Sequence, residues 1–120
     1  MKTLLIKSGL PREFLIPEGC FITEVWNTED DESVSIARAR VRPGVTTAPH
    51  FLEGITERYL ILLGKGRIET GDLENTEVNA GDLIVFPAGN PQSITNIGDD
   101  DLIFYAICTP RFRQESYHGL

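Results

Sequence analysis

A chain of 120 residues that is 41% apolar predicts one domain with a modest packed core and no long disorder. Its net charge of −7 excludes the nucleic-acid binders, which need clustered Lys and Arg to release counterions, and excludes attraction to anionic membrane surfaces for the same reason. No stretch approaches the roughly 20 consecutive apolar residues of a membrane helix.

The first segment, residues 1–20, reads as irregular chain or an edge strand, because Pro11, Pro17 and Gly19 interrupt any periodicity. The apolar run Leu4–Ile6 is too short for a signal-peptide core, so the chain reads as cytoplasmic. Cys20 and Cys108 lie in apolar surroundings and read as two free buried thiols.

From Phe21 onward the pattern is that of strands: short runs rich in Val, Ile, Leu, Phe and Tyr. They fall at Phe21–Trp26, Val34–Val41, Thr47–Phe51, Glu57–Leu63, Gly66–Thr70, Thr76–Val78, Asp82–Phe86, Gln92–Asn96 and Leu102–Cys108. Asn27–Asp31, Pro43-Gly44, Gly64, Gly71-Asp72, Gly81-Asp82, Pro87–Pro91 and Gly98–Asp101 punctuate them. Strands at this spacing predict an all-β sandwich or barrel over 21–108. Parallel crossovers have no room. Residues 109–120 form a tail, in which Thr109-Pro110 can start a short helix with Thr as N-cap and Pro at the first helical position.

Two blocks carry polar residues at fixed offsets. The first is Gly44, five residues, His50-Phe51-Leu52, four residues, Glu57, six residues, Gly64. The second is Gly81, five residues, Pro87-Ala88-Gly89, two residues, Gln92, three residues, Asn96. In a strand, residues two apart share a face, so Glu57, Tyr59, Ile61 and Leu63 form one row and Gln92, Ile94 and Asn96 another. Arg38, Arg40 and Arg42 alternate with Ala37, Ala39 and Val41, which reads first as a solvated outer face and second as a substrate anchor. Trp26, Phe86 and Tyr105 read as core, with a cavity wall or subunit interface as the alternative.

The two blocks resemble the paired motifs of the cupins, small single-domain proteins with a double-stranded β-helix or jelly-roll barrel. Every spacing matches. The departures are Leu52 and Gln92, each standing where the family pattern has a histidine. The resemblance implies a jelly-roll barrel with a short helical or irregular C-terminal tail, and it implies a homodimer. It also implies that His50, Glu57 and Gln92 converge inside the barrel, with Tyr59 nearby, in an apolar pocket of the kind that takes small ligands. The family's full ligand set suits Fe, Mn, Ni, Cu or Zn, and His50, Glu57 and Gln92 would be its remnant here. His118 would replace a lost ligand only if the tail folds over a barrel mouth.

Three functions follow. The first is a divalent-metal enzyme (Fe, Mn, Ni or Zn) acting as a dioxygenase, isomerase or decarboxylase on a small organic molecule. The second is a metal-free small-molecule binding module. The third is a metal-independent acid–base isomerase or epimerase in which His50 or Tyr59 moves a proton.

Overall fold

A computed structural model describes residues 2–7 and 12–120. Pro11, one of the breakers of the first segment, lies outside the described residues.

The chain forms eleven short strands: β1 (Phe14–Leu15), β2 (Phe21–Trp26), β3 (Ser35–Val41), β4 (His50–Leu52), β5 (Thr56–Leu63), β6 (Lys65–Thr70), β7 (Thr76–Asn79), β8 (Leu83–Phe86), β9 (Gln92–Asn96), β10 (Leu102–Thr109) and β11 (Tyr117–Gly119). They build two antiparallel sheets. The larger runs β1-β2-β3-β10-β5-β8 and the smaller β11-β4-β9-β6-β7. This is the expected all-β jelly roll. The two sheets face each other as the walls of one barrel.

Alternation decides which side chains enter. In β5, Glu57, Tyr59 and Ile61 are buried, while Arg58, Leu60 and Leu62 lie on the half-exposed outer face. In β9, whose row was read from the sequence, Gln92, Ile94 and Asn96 are fully buried. The core fills one end of the barrel with Val41, Ile61, Ile68, Val78, Ile94 and Leu102. Burying each such aliphatic stabilises the fold by roughly 1.5–3 kcal/mol. At Gly66 a Cβ would meet Leu102, Ile94 and Val78 side chains at 3.1–3.2 Å, so the backbone itself is part of this packing. Asn96 ties the same end together by donating to the carbonyls of Val41 and Asp100, both at 2.8 Å.

Three details differ from the sequence reading. Strand β4 starts at His50 and not at Thr47, because Pro49 offers no N–H to a ladder and Thr46 makes only an isolated bridge to Thr95. No helix starts at Pro110. The Arg111 and Phe112 N–H groups are drawn to the Glu32 carbonyl and to Ser35 Oγ, which hold the segment extended along the large sheet. The only helical turn among the described residues is a 3₁₀ turn at Gln114–Ser116, and β11 follows it, pairing with β4.

Candidate functional site

Opposite the apolar end lies a cavity of about 330 Å³. Its walls come from the inward faces of β2, β3, β5 and β10, from β4, from the turn before β2 and from the tail. Polar side chains gather along it in two groups.

The first group centres on Glu57. This carboxylate is 8% exposed, and no Lys or Arg pairs with it among the described residues. Cys108 on neighbouring β10 donates its S–H to Glu57 Oε2 at 3.4 Å, and the Gln92 amide also hydrogen-bonds the carboxylate. Burial pushes the Glu57 carboxyl up to about 7. The other end of the Gln92 amide accepts a hydrogen bond from the Tyr59 hydroxyl, Oη to Oε1, at 2.8 Å. Tyr59 is wedged between Phe86 and Phe104, with centroids 4.7 and 4.3 Å away, and burial holds its hydroxyl well above the usual phenol range.

The second group centres on His50. Its Nδ1 lies 3.0 Å from the Ala48 carbonyl and 3.4 Å from Glu18 Oε1. A carbonyl only accepts, so Nδ1 carries a proton, and in the neutral ring Nε2 keeps the free lone pair. Tyr117 stacks on the imidazole at 4.7 Å and hydrogen-bonds Glu18. Burial raises the Glu18 carboxyl above its usual range, partly countered by His50. Burial also pushes the Tyr117 hydroxyl up to about 12, with Glu18 adding to the shift.

The structure places His50, Glu57 and Tyr59 in the cavity wall, with Gln92 hydrogen-bonded to Tyr59 and Glu57 behind it, the grouping that the cupin resemblance implied. His50 and Gln92 are direct register partners across β4 and β9. Leu52 is buried and packs in a small apolar cluster with Ile55 and Cys108. His118 does not join the site. It points outward, stacks on Phe51 and lies 2.9 Å from Glu53. Its strand neighbour Tyr117 enters instead, because successive residues of β11 face opposite ways. Arg38, Arg40 and Arg42 face outward: Arg40 binds Glu13 and Asp101, and Arg42 lies over the Phe21 ring at 4.7 Å. Trp26 donates to Asp31 at 2.9 Å, and Phe86 belongs to the core. Both cysteines are free and buried.

Sequence reasoning missed Glu18 and Tyr117. Glu18 sits in a Pro-Glu-Gly turn outside both motifs. The local signal was a carboxylate immediately before a buried strand start, in a turn where Gly19 takes a positive φ of 102°.

The model of the cupin family matches residues 11–118. The chain is a cupin. Among cupins similar to it, an uncharacterised protein of Methanocaldococcus jannaschii is 31% identical over 117 residues, covering 96% of this chain and 93% of that protein. An oxalate-binding protein of Thermotoga maritima is 37% identical over 71 residues, which is 59% of this chain but only 58% of that relative's length. The crystal structure of a predicted oxalate decarboxylase from Thermotoga maritima superposes with a TM-score of 0.77 at 26% identity, covering 89% of this chain and 99% of that one.

Cupins often hold divalent metals, but the donor set of this cupin does not fit one. Leu52 contributes no donor, and Gln92 offers only a neutral amide oxygen that already accepts a hydrogen bond from the Tyr59 hydroxyl. Two strong donors, His50 and Glu57, remain. Among the described residues no three His, Cys, Asp or Glu side chains are grouped to hold an ion. The same side chains do suit hydrogen bonding and proton transfer in an apolar surround.

Proposed function

We propose that this cupin binds a small organic molecule in its barrel cavity and moves a proton on it, as an isomerase or epimerase does, without drawing on a metal. His50 Nε2 is the base, held in orientation by the Ala48 carbonyl and Glu18 at Nδ1. Glu57 is the acid. In a substrate with a carbonyl, His50 takes the proton from the adjacent carbon. The bonding electrons move to the carbonyl oxygen, which receives the Glu57 proton. His50 then returns the proton to the former carbonyl carbon, a hydroxyl on the carbon first deprotonated becomes the new carbonyl by giving its proton to Glu57, and both side chains regain their starting states. Tyr59 is a positioning residue, since its hydroxyl fixes the Gln92 amide that in turn holds Glu57.

The observation that carries this reading is a buried carboxyl without a cationic partner, brought to about 7, in one cavity with an imidazole whose Nδ1 is tied back. A carboxyl poised there holds and releases protons at neutral pH.

The test is exchange of carbon-bound hydrogen with deuterated water over a panel of small hydroxyketones and aminoketones. His50→Gln is expected to lower the rate about 100-fold or more, the scale of a lost general base. A chelator is expected to leave the rate unchanged. Activity that appears only on adding Fe, Mn, Ni or Zn would establish the metal-dependent alternative instead.

A further inference from the structure

We infer that the ligand of this cavity is a small organic amine, bound as its ammonium ion, and not a carboxylate. The inference rests on the cavity being the ligand site, as proposed above.

The charged side chains of the wall decide it. Glu18, Glu24 and Glu57 line the cavity, and no Lys or Arg does among the described residues, which include all eleven Lys and Arg of the chain. Basic residues of the neighbouring strands and of the tail are committed elsewhere. Arg38 and Arg40 turn outward to Glu13. Arg58 binds Thr109 Oγ1 at 2.6 Å and the Thr56 carbonyl at 3.3 Å. Arg111 and Arg113 hold Glu32. His50 alone can carry a positive charge in the wall, and it already faces Glu18 at 3.4 Å.

An anionic ligand entering this space would lose its hydration and meet three carboxyl side chains, with only His50, already facing Glu18, to offset them. An ammonium ion meets the reverse. It donates up to three hydrogen bonds to carboxylate oxygens and relieves the burial of Glu57. Phe14, Phe112 and Tyr117 line the same cavity and supply aromatic faces that attract cations. The relative named for binding oxalate does not carry its ligand over, because oxalate brings two negative charges into a wall with three carboxylates.

The experiment compares one carbon skeleton in three charge states: phenethylamine, 2-phenylethanol and phenylacetate, with oxalate as a fourth probe, titrated calorimetrically into the full chain at one neutral pH. The amine is expected to bind at least 10-fold more tightly than phenylacetate, with the alcohol between them and oxalate not binding. Glu24→Gln, at the exposed rim, and Glu57→Gln are each expected to shrink the ratio of amine affinity to 2-phenylethanol affinity at least 3-fold. Two variants guard against one failing to fold. Phenylacetate or oxalate binding as tightly as the amine would overturn the charge assignment and leave the cavity reading standing, and so would the alcohol binding best. If none of the probes bound, the amine assignment would fall together with the cavity reading.

Discussion

Glu57 illustrates how burying one carboxyl without a cation costs stability. Its carboxyl ordinarily titrates near 4.5 and is pushed up to about 7 by burial in the folded chain. Between those two values the folded state holds a proton that the unfolded state has released, so stability falls as pH rises through that window. At one pH unit for each 1.36 kcal/mol, the loss approaches roughly 3 kcal/mol at alkaline pH. Glu57→Gln keeps acceptors for the Cys108 S–H and removes the charge. The variant should therefore be more stable than the parent above neutrality and match it near pH 4, a difference that urea unfolding across pH reads directly. A parent whose stability rises from pH 5 to 8 relative to the variant would show Glu57 paired with a cation. At this scale the sequence was partly legible. His50, Glu57 and Gln92 were found because motif spacing marks them, and Tyr59 because it shares the face of Glu57. Glu18 was not, because a turn has no periodicity that says where its side chain points.

Among the elements, β5 and β6 are joined through Gly64 alone. Its φ is 91°, a region open to glycine, and a Cβ there would stand 2.8 Å from the Asp101 carbonyl oxygen and 2.9 Å from Leu102 Cα. Both neighbours are backbone and neither can swing aside. Gly64→Ala is expected to destabilise the fold by about 2–4 kcal/mol, combining left-handed strain with a backbone clash. A thermal melt of the variant that coincides with the parent's would show that β10 shifts freely at this point. Eight of the nine strand positions read from the sequence are recovered to within a residue or so, because runs of β-branched and aromatic residues bounded by Gly, Pro and Asp turns mark them, with alternating burial clearest in β5 and β8. The ninth, β4, shrank at Pro49. The strands that escaped, β1 and β11, are two and three residues long, too short to show a period. The tail misled for a related reason: Thr-Pro is a sound helix start in isolation, and pairing with β4 overrode it.

Across the whole molecule, the last residues close what the motifs begin. Strand β11 edges the small sheet, Leu120 N–H donates to the Pro49 carbonyl, and Tyr117 lies over His50. The tail is thus part of the cavity wall and not an appendage. Removing residues 117–120 is expected to lower the melting temperature by several degrees, a loss of 1 kcal/mol being worth roughly 4 °C for a domain between the 100- and 150-residue sizes. It should also increase binding of a dye specific for apolar surface. An unchanged melt and no extra dye binding would place the tail outside the wall. No helix of the described residues is long and apolar enough to cross a membrane.

Gly66 and the side chains packed on it also bear on traffic. With Val78, Ile94 and Leu102 buried against that bare stretch of backbone, the apolar end of the barrel is filled by packed side chains. The exposed members of the cavity lining, Phe14 and Glu24, lie on β1 and β2 at the edge of the large sheet, which is where a ligand meets solvent. A ligand arriving over that edge passes the Glu24 carboxylate before it reaches the buried Glu57.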